Sequence, residues 1–124
     1  MKKKEVDAFI SLHSRIESLY QEIGILSKKN PNDGLNVFKL KVVNSILDEA
    51  NIILADKLPL KDFKQFSEDE IPTNSDVVFI LGLYIKSLEK IRSDNISIDY
   101  SEKYWYWDVE DGRRGVRTNP PNVM

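Results

Sequence analysis

Apolar residues near the start of the chain recur at alternating steps of three and four: Phe9, Leu12, Ile16, Leu19, Ile23 and Leu26. That spacing keeps returning to one face of a helix and predicts a helix over 6–26. A parallel row through Val6, His13 and Tyr20 widens the apolar stripe, as in a helix packed among several others and not in a narrow two-stranded seam. Pro31 disfavours helical geometry at its predecessor and Asn32-Asp33-Gly34 is turn chemistry, so the helix should end within 27–30.

A second helix is expected over about 35–58, with one apolar row through Leu40, Val43, Leu47, Ala50 and Leu54 and another through Val42, Ile46 and Ile53. Its polar face is narrow. Such a helix is usually buried between neighbours, which points either to a second chain, and so to a homo-oligomer, or to the following loop folding back over it. That loop, 59–74, carries Leu60, Phe63, Phe66 and Ile71 at spacings suited to covering apolar surface. Ser67 with Glu70 has the form of a capping box and predicts one short helical turn, stopped by Pro72. Thr73 with Asp76 repeats the pattern before a third helix through Val77, Leu81, Tyr84, Leu88 and Ile91. Gly82 inside that helix suggests a close helix crossing, and Arg92 suits the negative end of the helix dipole.

Beyond Asn95 the period becomes two. Ile96, Ile98 and Tyr100 alternate with polar residues, and Tyr104-Trp105-Tyr106-Trp107-Asp108-Val109 is rich in strand-favouring types. A turn over 110–113 would return the chain along 114–118, and Asn119-Pro120-Pro121-Asn122 reads as an extended, poorly anchored tail. The expected fold is mainly α: an antiparallel bundle of three helices, or four with the short extra turn, and a small C-terminal β-hairpin or meander. One domain over 1–124 is expected, with an aromatic and arginine-rich segment at 96–118 and a tail at 119–124.

Composition narrows the function. Eighteen basic and 20 acidic residues give a formal charge of −2, which disfavours a uniformly basic face coating long duplex nucleic acid. No cysteine is present, removing disulfides, thiolate nucleophiles and the usual structural zinc sites. Lys2-Lys3-Lys4 resembles the positive flank of a signal peptide, but Asp7, His13 and Arg15 interrupt the apolar run it needs. A soluble cytoplasmic protein without a membrane span is expected, and Asn95-Ile96-Ser97 is then an accidental glycosylation match.

Catalytic signatures are sparse. His13 is the only histidine and has Glu17 one turn later, which could orient the ring as a base or form half a metal site, but no second histidine or Glu-x-x-His pair accompanies it. Asp108, Glu110 and Asp111 beside Gly112 fail the spacing of a calcium loop, and Glu68-Asp69-Glu70 reads as a solvated helix start. No nucleophile elbow, phosphate-binding glycine loop or dinucleotide fingerprint occurs.

What remains is Tyr104, Trp105, Tyr106 and Trp107 followed by Arg113, Arg114 and Arg117. On a hairpin the tyrosines share one face and the tryptophans the other, so one pair can anchor the sheet while the other stacks on a base, with arginines gripping phosphate. Lys28 and Lys29 would add charge if the end of the first helix approaches the hairpin. The expected function is non-enzymatic, without a cofactor: binding or sequestering a small anionic, nucleotide-like ligand through this segment. The alternative is a protein-interaction module such as a small inhibitor, immunity protein or adaptor, since Trp, Tyr and Arg are also hot-spot residues. A structural reading competes with both, in which the rings complete the core and the arginines pair with Asp108, Glu110 and Asp111.

Overall fold

The computed structural model describes residues 1–110 and 114–122, without the side chains of 114 and 115. Three helices, α1 (Lys3–Lys29), α2 (Val37–Leu54) and α3 (Asn74–Asp94), precede three strands, β1 (Ile96–Asp99), β2 (Tyr104–Asp108) and β3 (Arg114–Thr118). The fold is mainly α with a small antiparallel sheet in the order β1-β2-β3. No described helix is long and apolar enough to cross a membrane.

Helix ends follow local chemistry. The backbone N–H of Lys2 donates to Glu5 Oε1 at 3.1 Å, and the chain leaves α1 at Asn30, immediately before Pro31. The α2 helix is shorter at both ends than the span of about 35–58 expected from the sequence. At its start Asn36 accepts from the Lys39 N–H at 3.2 Å as N-cap, while Leu35 is drawn into an extended pairing with its N–H on Pro72 O at 2.9 Å. At its end Ala55 takes φ 53, a left-handed geometry that stops the helix. Thr73 Oγ1 accepts from the Asp76 N–H at 3.1 Å, the cap its sequence implies.

The loop between α2 and α3 folds back over α2. Asn44 donates to Phe66 O and accepts from Phe66 N–H, both at 2.9 Å. Asn51 donates to Lys64 O at 2.8 Å and accepts from the Tyr84 hydroxyl at 2.6 Å. Phe63 packs edge-on against Phe66 and Tyr84, with centroids 5.0 and 6.5 Å apart. The loop therefore covers much of the wide apolar surface of α2, although Phe38 and Ile52 stay exposed. The helical turn expected at Ser67 does not form. Ser67 Oγ instead accepts from the Asp69 N–H at 3.2 Å, a serine turn that competes with helix geometry.

One apolar cluster joins all three helices and the sheet: Val6, Phe9, Leu12, Ile16 and Ile23 of α1 meet Leu40, Val43 and Leu47 of α2, Leu81, Tyr84 and Leu88 of α3, and Ile96 and Trp107. Tyr20 on α1 lies over Gly82 on α3, where an added Cβ would sit 3.5 Å from the ring. The glycine therefore meets a side-chain ring at ordinary van der Waals distance, with no backbone atom of α1 among its nearest neighbours.

The sheet pairs Ile96 with Trp107 and Ile98 with Trp105, placing these four side chains on one face. Trp107 is 1% exposed and meets Phe9 edge-on at 5.0 Å, which fixes that face against the start of α1. Two steps along β2, from Tyr106 to Asp108, match three along β3, from Arg117 to Arg114, so a bulge bends β3.

Of the segment read as a poorly anchored tail, positions 119 and 120 are anchored through their carbonyls. Arg92, 7% exposed, donates from Nη1 to Thr118 Oγ1 at 2.9 Å and Asn119 O at 2.7 Å, and from Nη2 to Pro120 O at 2.9 Å. Its remaining N–H groups go to Glu89, from Nε at 2.6 Å and Nη2 at 2.9 Å. Pro120 and Pro121 cannot anchor the tail through their own N–H groups, but carbonyls at 119 and 120 still accept. A buried guanidinium supplies the donors.

Candidate functional site

The two halves of the aromatic segment have different roles. Trp107 is consumed by the core and Trp105 packs partly buried against it. Tyr104 and Tyr106 lie on the opposite face, half-buried, with ring centroids 6.0 Å apart. Arg117, paired across the strands with Tyr106, places its guanidinium 4.1 Å from the Tyr104 centroid. One face of Tyr104 is thereby covered by a cation, leaving less of it for a stacked base.

Of the remaining candidates, Arg113 lies outside the described residues, and Arg114 is described only as backbone in β3. Lys28 and Lys29 are exposed at the far end of α1. Twenty residues separate Phe9, which touches the sheet, from Lys29, about 30 Å at the helical rise. The opposite end of α1 instead meets the start of α3, where Asn74 Nδ2 donates to Asn30 O at 2.9 Å. These lysines do not approach the hairpin.

The pairing of arginines with local carboxylates in the competing structural reading is not seen between Arg117 and Asp108 or Glu110, and Asp111 lies outside the described residues. Asp108 Oδ1 accepts from Ser97 Oγ at 2.7 Å. Asp99 Oδ1 holds the β1–β2 turn by accepting from the N–H groups of Ser101 and Glu102, at 2.9 and 3.0 Å. Among the described residues no carboxylate forms an ion pair with Arg117.

A cleft of about 590 Å³ opens beside this segment. One wall is the polar face of α1: His13, Ser14, Glu17, Ser18 and Gln21, with Ile10 at the edge. These positions repeat at three, four, seven and eight, so they share a helix face. The other wall is the end of β3 and the anchored tail, with Arg117, Thr118, Asn119 and Asn122. Phe9 and Trp107 close the base, beside the Glu89–Arg92 pair. That pair is 11% and 8% exposed by side chain and shapes the cleft by holding the tail. Arg92 cannot also take a ligand, because each of its N–H groups is already used.

His13 stacks on Phe9 with centroids 5.7 Å apart and planes inclined by 15°. Its Nε2 is closed off from solvent without a hydrogen-bond partner and lies 3.5 Å from Glu17 Oε1. No hydrogen bond joins it to Ser14 or Ser18 among the described residues, so the contact that would activate a hydroxyl nucleophile is missing. Among the described residues, no three His, Asp or Glu side chains are grouped to hold a metal ion.

Sequence patterning signals Trp107 and Arg117 by type and Glu17 only as the neighbour of His13, which it places in the widened apolar stripe; Ser14, Ser18 and Gln21 carry no signal of their own. Glu89 and Arg92 carry the spacing of an ordinary helix ion pair, which gives no hint that they reach the tail. Nothing at Asn119 or Asn122 distinguishes them from any polar residue beside prolines. Comparison with protein-family models, curated proteins and solved structures found no match to this chain.

Proposed function

We propose that this chain is a non-enzymatic binding protein that takes a small anionic ligand, nucleotide-like in size, in the cleft between α1 and the anchored tail. Arg117 receives the anionic group. The observation that carries this reading is the position of Arg117: it lines the 590 Å³ cleft, is braced on Tyr104 and has no carboxylate partner among the described residues. A guanidinium held over a ring can still offer N–H groups to a carboxylate or phosphate, and such charge-assisted bonds are about twice as strong as neutral ones. The cleft volume also suits a small ligand, whose sites span about 300–1,000 Å³. In this reading the three helices act as an antiparallel bundle serving as a rigid support.

The test is calorimetric titration with AMP and with inorganic phosphate, on the natural chain and on Arg117→Gln. Saturable binding that weakens about tenfold or more in the variant supports the reading. Binding indifferent to Arg117, or no binding of either probe, contradicts it.

A protein-interaction module is the second reading. It is favoured by an exposed ring at the end of the sheet: Tyr100 is 83% exposed in the β1–β2 turn, next to Asp99, the strand partner of Tyr104. Tyr and Arg in this setting are frequent anchors for partner proteins. Loss of partner association in Tyr100→Ser, with AMP binding intact, would distinguish it.

A further inference from the structure

We infer that the ligand of this cleft carries a protonated amine as well as its anionic group, and that Glu17 receives the amine; this rests on the reading that Arg117 takes the anion. Besides His13, the ionisable groups described along the cleft are Glu17, Glu89, Arg92 and Arg117. Glu89 and Arg92 neutralise each other inside the fold, with Nε to Oε1 at 2.6 Å, and the rest of Arg92 is spent on the tail. Among the described residues this leaves two groups of opposite sign, Glu17 on α1 and Arg117 on β3.

Glu17, unlike Glu89 and Arg92, makes no hydrogen bond among the described residues. Its partner among the described residues is His13 Nε2 at 3.5 Å, a contact that is an ion pair only when the imidazole is protonated. The Glu17 side chain is 47% exposed, so it is open to a ligand. Arg117 stands on β3 and Glu17 on α1, and the cleft they line also carries the hydroxyls of Ser14 and Ser18 and the amides of Gln21 and Asn119. Those suit a neutral polar spacer.

A plain phosphate monoester would satisfy Arg117 while bringing its own negative charge toward the Glu17 carboxylate. A ligand with opposite charges at its two ends meets both groups favourably, and the carboxylate disfavours the singly charged competitor. The ligand class is therefore a small zwitterion or amino-substituted anion: an aminoalkyl phosphate, an amino acid or a close relative.

Matched series of alkyl phosphates and ω-aminoalkyl phosphates, two to eight carbons long, test this by calorimetry on the full chain. At one or more lengths the amine should tighten binding by about fivefold, the scale of a partly exposed ion pair. Glu17→Gln should erase that advantage, and Glu17→Lys should reverse it. Arg117→Gln should weaken both series. Both side chains are at the surface, and matching thermal unfolding curves will show that the variants fold. If alkyl phosphates bind through Arg117 with no amine advantage at any length, or the advantage survives Glu17→Gln, the amine inference is overturned while the anion reading stands. If neither series binds, both fall.

Discussion

Arg92 shows how much can depend on a single side chain. A charge this deeply placed is tolerated only when all its hydrogen bonds are made, and removing one partner of a buried ion pair costs about 3–5 kcal/mol. Arg92→Ala should therefore destabilise the fold by about that much in chemical denaturation, and Arg92→Lys should rescue only part, because an ammonium cannot reproduce the fork that reaches Glu89, Thr118 and two carbonyls. A loss below about 1 kcal/mol would mean that the tail is not held as described. Tyr84 behaves differently. Burial pushes its phenol above the ordinary tyrosine value, with the Asn51 hydrogen bond opposing and Asp48 adding to the rise. The folded state thus holds this proton more tightly than the unfolded chain. Its contribution is fully present below the ordinary tyrosine range and is lost as pH rises through the folded value. Alkaline titration of stability should show a decline that Tyr84→Phe removes.

Among the elements, α1 carries two roles on two faces. Its apolar face, Phe9 through Ile23, was legible from spacing alone because a helix imposes a period and burial selects apolar residues at it. The polar wall was not legible, because His13 falls in a row with Val6 and Tyr20 and no pattern marks Ser14, Ser18 or Gln21; nor was its partner wall, since Asn119 and Asn122 reach it only through the Arg92 anchor. For the same reason the tail was misread: prolines announce extension, but the carbonyls they retain leave no mark in a sequence. The Ser67 turn was misread because capping chemistry and a serine turn use the same residues, and the nearby Asn44–Phe66 bonds decide between them. Gly24 offers a direct check on α1, since nothing lies within 4 Å of where its Cβ would be. Gly24→Ala should stabilise by up to about 1 kcal/mol, as helix propensity alone would give. Gly82→Ala should gain at least as much, because the Cβ would meet Tyr20 at 3.5 Å, an ordinary van der Waals contact. A loss of stability at Gly82 would show that the crossing is tighter than the structure indicates. The Arg15–Glu49 pair, 2.7 Å across α1 and α2, lowers the Glu49 carboxyl through its hydrogen bond to Arg15. Half-exposed, it should be worth under about 1 kcal/mol after solvent screening, lost as pH falls through the folded Glu49 value.

For the molecule as a whole, the sheet and tail are fastened to one end of the helices, and the cleft lies where they meet. Trp107 on Phe9 sets the sheet, Arg92 on Thr118 to Pro120 sets the tail, and the polar face of α1 is left as the third side. The aromatic and arginine segment was legible as a candidate because its composition is unusual for so short a stretch. Its division into an anchoring tryptophan face and an outer tyrosine face followed from strand alternation, but only the three-dimensional packing decides which face is which. The cleft could not be read from the sequence, because it joins residues of α1 to residues about 100 positions later through contacts to backbone atoms.

Backbone amide NMR during titration with AMP examines this site most directly, because it reports location as well as affinity. Binding in the cleft predicts saturable shifts concentrated at His13, Ser14, Glu17, the Trp107 indole, Arg117 and Asn119, and their loss in Arg117→Gln. Shifts confined to the Lys28–Lys29 end of α1, or a spectrum unchanged at millimolar AMP, would contradict a ligand site between α1 and the tail.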